Sequence, residues 1–136
     1  MKKLDQCGVA AFEFCLIAAS FFMVIFIVFD LGRYAITMQS LHRLANTDAR
    51  AMMITCYTPA VIGKSSPSGC TGSYLTDTQM QNAAPFLYAG SLTPILSIQA
   101  QGSTLIVTAS QPNFKMMMPI WGTSLNAPSA STKVPF

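Results

Sequence analysis

From Val9 to Phe29 the chain runs for 21 residues, VAAFEFCLIAASFFMVIFIVF, with a single ionisable side chain, Glu13. A helix of about 20 apolar residues, rising roughly 1.5 Å per residue, crosses the hydrocarbon core of a bilayer. Inside a soluble domain the same helix would need neighbours on every side. The remainder of this chain is too short to cover it on every side: charged residues are 10% and hydrophobic residues 51%, and the longest unbroken apolar stretch lies in the first 30 positions. Residues 9–29 are therefore expected to form a transmembrane helix. A cleaved secretory signal is the competing assignment, and it fits less well. The run is too long, no A-x-A site ends it, and Ala18-Ala19-Ser20 lies mid-run, where a cut would leave another apolar segment exposed.

Glu13 is the odd residue. A carboxylate at the centre of a membrane helix costs about 2.5–3.5 kcal/mol, and less near an end. Glu13 lies within about two turns of the start of the run, so snorkelling to the headgroups is one reading. Pairing with an opposite charge is the other, because ionisable groups inside membranes usually pair or do work.

The flank bears on that choice. Met1 to Gly8 is a short polar leader, MKKLDQCG, and Gly8 is followed by VAAFEF. A glycine, four mostly small or apolar residues, then Glu13-Phe14 resembles the processing site of class IV prepilins, in the form found in tight-adherence (Tad) pilus proteins. The resemblance implies cleavage between Gly8 and Val9 by a membrane-embedded prepilin peptidase, which makes residues 1–8 a prepilin leader and Glu13 the fifth residue of the mature chain. In that family the equivalent glutamate pairs with the new α-amino group of a neighbouring subunit. Gly8 and Val9 are thus marked as the processing site, and Glu13 and Phe14 as subunit-assembly residues. A buried carboxylate needs such a partner on physical grounds as well.

Residues 30–54 are expected to continue the span as an amphipathic helix. Leu31, Tyr34, Ala35, Met38, Leu41, Ala45, Ala49 and Met52 recur at three- and four-residue steps, while Arg33, Gln39, Arg43, Asn46 and Arg50 lie mostly off that stripe. No proline intervenes before Pro59. The segment FDLGRYAITMQSLHRLANTDARA resembles the corresponding part of TadE-like proteins, through Asp30, Gly32-Arg33, Gln39, Ala45 and Ala49-Arg50-Ala51. Asp30 and Arg33 are spaced to pair at i, i+3, and otherwise read as interfacial charge at the end of a span. Lys2 and Lys3 precede the span, so the N-terminus is expected in the cytoplasm and the bulk of the chain outside it. Arg33, Arg43 and Arg50 weigh the other way without reversing that order.

Residues 55–136 are expected to form a small extracytoplasmic domain. Thr55 to Ser73, rich in Gly, Pro and Ser, reads as a loop bracketed by Cys56 and Cys70. Outside the cytoplasm two such cysteines read as a disulfide, contributing about 3 kcal/mol on chain-entropy grounds; two unpaired thiols are the alternative. Cys15 lies in the span and reads as a small apolar packing residue. Asp77 to Tyr88 reads as a short helix with Thr76 or Asp77 at its N-cap, limited by Pro85 and stopped by Gly90, with Met80, Ala84 and Leu87 towards the core. Ile95, Ile98 and Ala100 precede Gln101-Gly102-Ser103, and Leu105, Val107 and Ala109 follow, the pattern of a β-hairpin. Asn113 to Trp121, NFKMMMPIW, resembles the apolar connection after this strand in TadE-like proteins. Met116 to Met118 read as core filler, or as a surface resting on a neighbour or on the membrane, rather than as metal ligands. Leu125 to Val134 reads as a weaker strand, at an edge or bulged because of Pro128. The fold class expected is α+β: one long N-terminal transmembrane and amphipathic helix, then a small domain with a short helix and a small antiparallel sheet.

The carboxylates are Asp5, Glu13, Asp30, Asp48 and Asp77, and His42 is the single histidine. These make no catalytic triad, no zinc site and no phosphate loop. His42 reads as flanking the packing face. The net charge of +3, with no basic block, gives no reason to expect nucleic acid. No cofactor, no metal and no enzymatic activity are expected. The family resemblance implies a minor pilin or pseudopilin of a Tad-type pilus in the bacterial inner membrane. Its partners would be the prepilin peptidase, other pilin and minor pilin subunits reached through the N-terminal helix, and membrane lipid. The alternative is a single-pass anchored extracytoplasmic binding module that is not processed as a pilin.

Overall fold

The computed structural model describes residues 6–136. Lys2, Lys3 and Asp5 of the expected leader lie outside the described residues. Helix α1 (Gln6–Met52) runs for 47 residues without a break, roughly 70 Å. It passes through a π-helical turn at Met53–Tyr57 into α2 (Thr58–Ile62). The stretch from Thr55, read as loop, is therefore helical as far as Ile62, and the irregular connection starts at Gly63. The reason is local. Pro59 has no N–H to give the carbonyl four residues back, and its ring crowds that carbonyl. The π turn absorbs the misfit: the Thr58 N–H donates to the Met53 carbonyl one residue further back, and the Thr58 hydroxyl donates to the same oxygen at 2.7 Å. Pro59 then sits in the first turn of α2, where a missing donor costs nothing.

Beyond it, α3 (Asp77–Ala83) starts with a full capping box: Thr76 Oγ1 accepts from the Gln79 N–H, and Gln79 Oε1 accepts from the Thr76 N–H. Pro85 opens a 3₁₀ segment, and Gly90, at φ +72°, turns the chain where a side chain would be strained. Strands β1 (Ile95–Gln101), β2 (Thr104–Ser110) and β3 (Ser129–Pro135) form an antiparallel sheet in that order. The β1–β2 hairpin turns at Gly102, as the sequence predicts, with φ +61°. The third strand is shorter than expected: Ala127 takes a left-handed conformation, and Pro128 precedes the strand rather than bulging it.

Register places Ile98 opposite Val107, Leu105 opposite Val134 and Ala109 opposite Ala130. These share one face of the sheet. That face lies on Leu41, Leu44, Ala45, Ala49 and Met52 of α1, and together they form the core with Leu87 and Cys70. The second half of α1 thus serves as the domain's central helix. Its first half is bare: Val9, Phe12, Phe14, Phe21, Phe22, Phe26 and Phe29 are all exposed. Val9–Ile62 contains a window long and apolar enough to cross a membrane.

Candidate functional site

Three places on the long helix hold groups with more than a packing role. The first is the apolar half. Gly8 and Val9 both lie in helical backbone, so the junction between them falls within α1. Glu13 is exposed and has no hydrogen bond or ion pair among the described residues, and Phe14 beside it is 72% exposed. Val9, Leu16 and Ile17 share Glu13's side of the helix by spacing. Ser20, further along, turns its hydroxyl back to the Leu16 and Ile17 carbonyls at 3.2 and 2.9 Å. A polar side chain on an apolar helix surface is satisfied in this way by its own helix.

The second place is the end of that half. Asp30, the residue after Phe29, is almost wholly buried. Its Oδ1 accepts the Met117 N–H at 3.1 Å and its Oδ2 the Met118 N–H at 3.0 Å. Arg33 approaches the same carboxylate at 3.8 Å and lies over the Phe114 ring at 5.4 Å, and Tyr34 packs against that ring. Asp30 is therefore not a solvated charge at a helix boundary. It is a latch holding the Asn113–Trp121 connection against α1. A cleft of about 500 Å³ opens beside the latch, lined by Arg33, Thr37, Leu87, Gln111, Phe114 and Lys115 among others. Gln111 is buried there; its Nε2 donates to the Leu87 carbonyl at 3.0 Å, while its Oε1 has no partner among the described residues.

The third place is the far end of α1. Cys56 and Cys70 are joined as a disulfide, with Cα atoms 5.8 Å apart. Two turns earlier Asp48, fully buried, accepts the Tyr74 N–H at 2.9 Å. Bridge and carboxylate together tie the 63–76 connection to the helix. Burial pushes the Asp48 carboxyl above its usual 3.8, against the lowering effect of its hydrogen bonds to Tyr74, Ser73 and Leu75.

Two sequence readings need correction here. The apolar stripe is offset in its first half: Leu31 and Ala35 are exposed, while Asp30 and Thr37 face inward. The buried positions are Asp30, Thr37, Leu41, Leu44, Ala45, Asp48, Ala49 and Met52, of which Leu41, Ala45, Ala49 and Met52 belong to the expected stripe. Asp30, Thr37 and Asp48 lie on the same line, but their polarity concealed them. Asp48 went unassigned for the same reason. His42 is exposed beside the packing face, where the sequence put it.

Residues 8–50 match the family model described as TadE-like protein. The matched stretch begins at Gly8, covers the exposed apolar half, and includes both Asp30 and Asp48. No curated protein and no solved structure matches the chain.

Proposed function

We propose, from the match of residues 8–50 to the TadE-like protein family model, that this chain is a minor pilin or pseudopilin of a Tad-type pilus. Residues 9–29 anchor it in the bacterial inner membrane with the N-terminus cytoplasmic and the domain from residue 55 onward periplasmic. A prepilin peptidase cuts between Gly8 and Val9. The freed α-amino group and Glu13 then become the charged pair of assembly, each subunit's glutamate taking a neighbour's amine as apolar helices gather. The domain supplies lateral or tip contacts.

The observation that carries this reading is the contrast within one helix. Its family-matched length begins at the processing glycine, runs bare through an apolar half, and ends as the core of a folded domain. An isolated carboxylate on the bare half is costly in lipid and is neutralised by an amine from a packed neighbour. Glu13→Ala is expected to leave membrane insertion intact and to reduce filament assembly severely, with Glu13→Gln retaining part of it. Pilus yield measured alongside membrane fractionation tests this; unchanged yield in both variants contradicts the pairing.

A second reading draws its support from the cleft beside Asp30. In it the chain is a single-pass anchored binding module, unprocessed, with Arg33, Lys115 and the unpaired Gln111 oxygen facing a ligand. Failure of a prepilin peptidase to act on the chain favours it.

A further inference from the structure

Most exposed apolar side chains outside the first half of α1 are scattered, and Ile54 and Ile62 lie beyond its far end, in the π turn and in α2. Met117 and Ile120 differ, because the latch fixes their loop at the point where the apolar half ends. From the chemistry of that loop we propose that Lys115–Trp121 is a second membrane contact. It is a foot that beds in the interfacial layer of the leaflet on the domain's side. The inference rests on the reading that Val9–Phe29 crosses the bilayer.

Three observations carry it. The first is level. Twenty-one residues of helix span roughly 30 Å, the thickness of the hydrocarbon core. With Val9 at one boundary, Phe29 and Asp30 lie at the other. The hydrogen bonds of 3.0 and 3.1 Å from Met118 and Met117 then hold the loop's backbone at that depth. Met117 is 76% and Ile120 56% exposed, so neither is covered by the protein.

The second is the backbone itself. Irregular chain enters a lipid interface only if its polar groups are satisfied. The Met116 N–H donates to Asn126 Oδ1 at 2.9 Å, those of Met117 and Met118 donate to Asp30, and Pro119 has none. Four consecutive positions therefore offer no free donor. In turn, Asp30 gains the partners that a carboxylate at a membrane boundary requires.

The third is charge. Lys115 is exposed at the start of the loop and Arg33 is partly so, which puts cations beside the apolar tip at the depth of lipid phosphates. A phospholipid surface complements both features. A second copy of the chain would have to supply apolar surface and anionic groups together.

Trp121, the single tryptophan, lies in this loop and reports on it without labelling. The full chain is reconstituted in vesicles of phosphatidylethanolamine and phosphatidylglycerol carrying bromine near the headgroup end or near the methyl end of the acyl chains. Trp121 emission is expected to be quenched more strongly by the shallow bromines than by the deep ones, and weakly by aqueous iodide. Met117→Asp combined with Ile120→Asp is expected to raise iodide quenching severalfold and to abolish lipid quenching, with circular dichroism unchanged. A companion protein, Phe21→Trp with Trp121→Phe, reports the span. If it is not quenched by deep bromines, the crossing fails and the foot fails with it. If it is quenched while Trp121 responds to iodide alone, the foot alone is overturned. Shielding of Trp121 from both lipid and iodide places the loop against protein and also overturns it.

Discussion

The two halves of α1 are one unbroken helix in two environments. From Val9 to Phe29 large apolar side chains point all round and nearly all are exposed; from Asp30 to Met52 one line is buried, and the remainder carries Arg33, Gln39, His42, Arg43, Asn46 and Arg50 among a few apolar residues. The first half therefore contributes nothing to folding the domain, while the second half is its core. Exposed hydrophobic surface on this scale marks a segment that meets a membrane or another protein.

Substitutions that separate the halves test that independence. The largest effect is expected from Leu44→Ala, which empties a fully buried site under the sheet and should cost about 2–5 kcal/mol. Phe22→Ala, removing more atoms from the bare half, should change domain stability by less than about 0.5 kcal/mol. Denaturant unfolding of both variants in detergent gives the comparison, and an equal loss would mean that the halves are coupled. Next, reduction or Cys56→Ser with Cys70→Ser should cost about 3 kcal/mol in the same assay, because the bridge closes the connection after the core half.

The smallest effect is a pH dependence confined to the core half. Burial raises the folded-state pKa of Asp48 above its unfolded value, so the folded domain holds a proton that the unfolded chain releases. The stability that this proton contributes is fully present below the unfolded value of about 3.8. It is lost as pH rises through the folded pKa. Unfolding midpoints measured across that acid range should fall with pH in the parent, and this component should vanish in Asp48→Asn.

Local chemistry made much of this fold legible. One ionisable group in a long apolar run announced the bare helix, Thr76 and Asp77 marked the start of the short helix, and Gly102 between two β-rich runs marked the hairpin. Cys56 and Cys70 around a flexible loop pointed to the bridge. What stayed hidden depends on partners distant in sequence. Asp30 looked like boundary charge because its donors lie in a loop near the other end of the chain. Asp48 went unassigned because its donors lie 25 and 26 residues on, at Ser73 and Tyr74, and both carboxylates fall on the buried line. The helix was expected to end at residue 54, with a loop from Thr55, because periodicity arguments make no allowance for a π turn that carries the helix past Pro59. At the proposed assembly site the sequence supplied residues and spacing, and the structure adds that Glu13 is exposed on a bare helix.

The most direct test of the account is the N-terminal sequence and intact mass of the chain isolated from membranes with and without a Tad-type prepilin peptidase. The account predicts a protein that begins at Val9 only when the peptidase is present. A chain that begins at Met1 in both preparations, or is cut near Ser20, would contradict it.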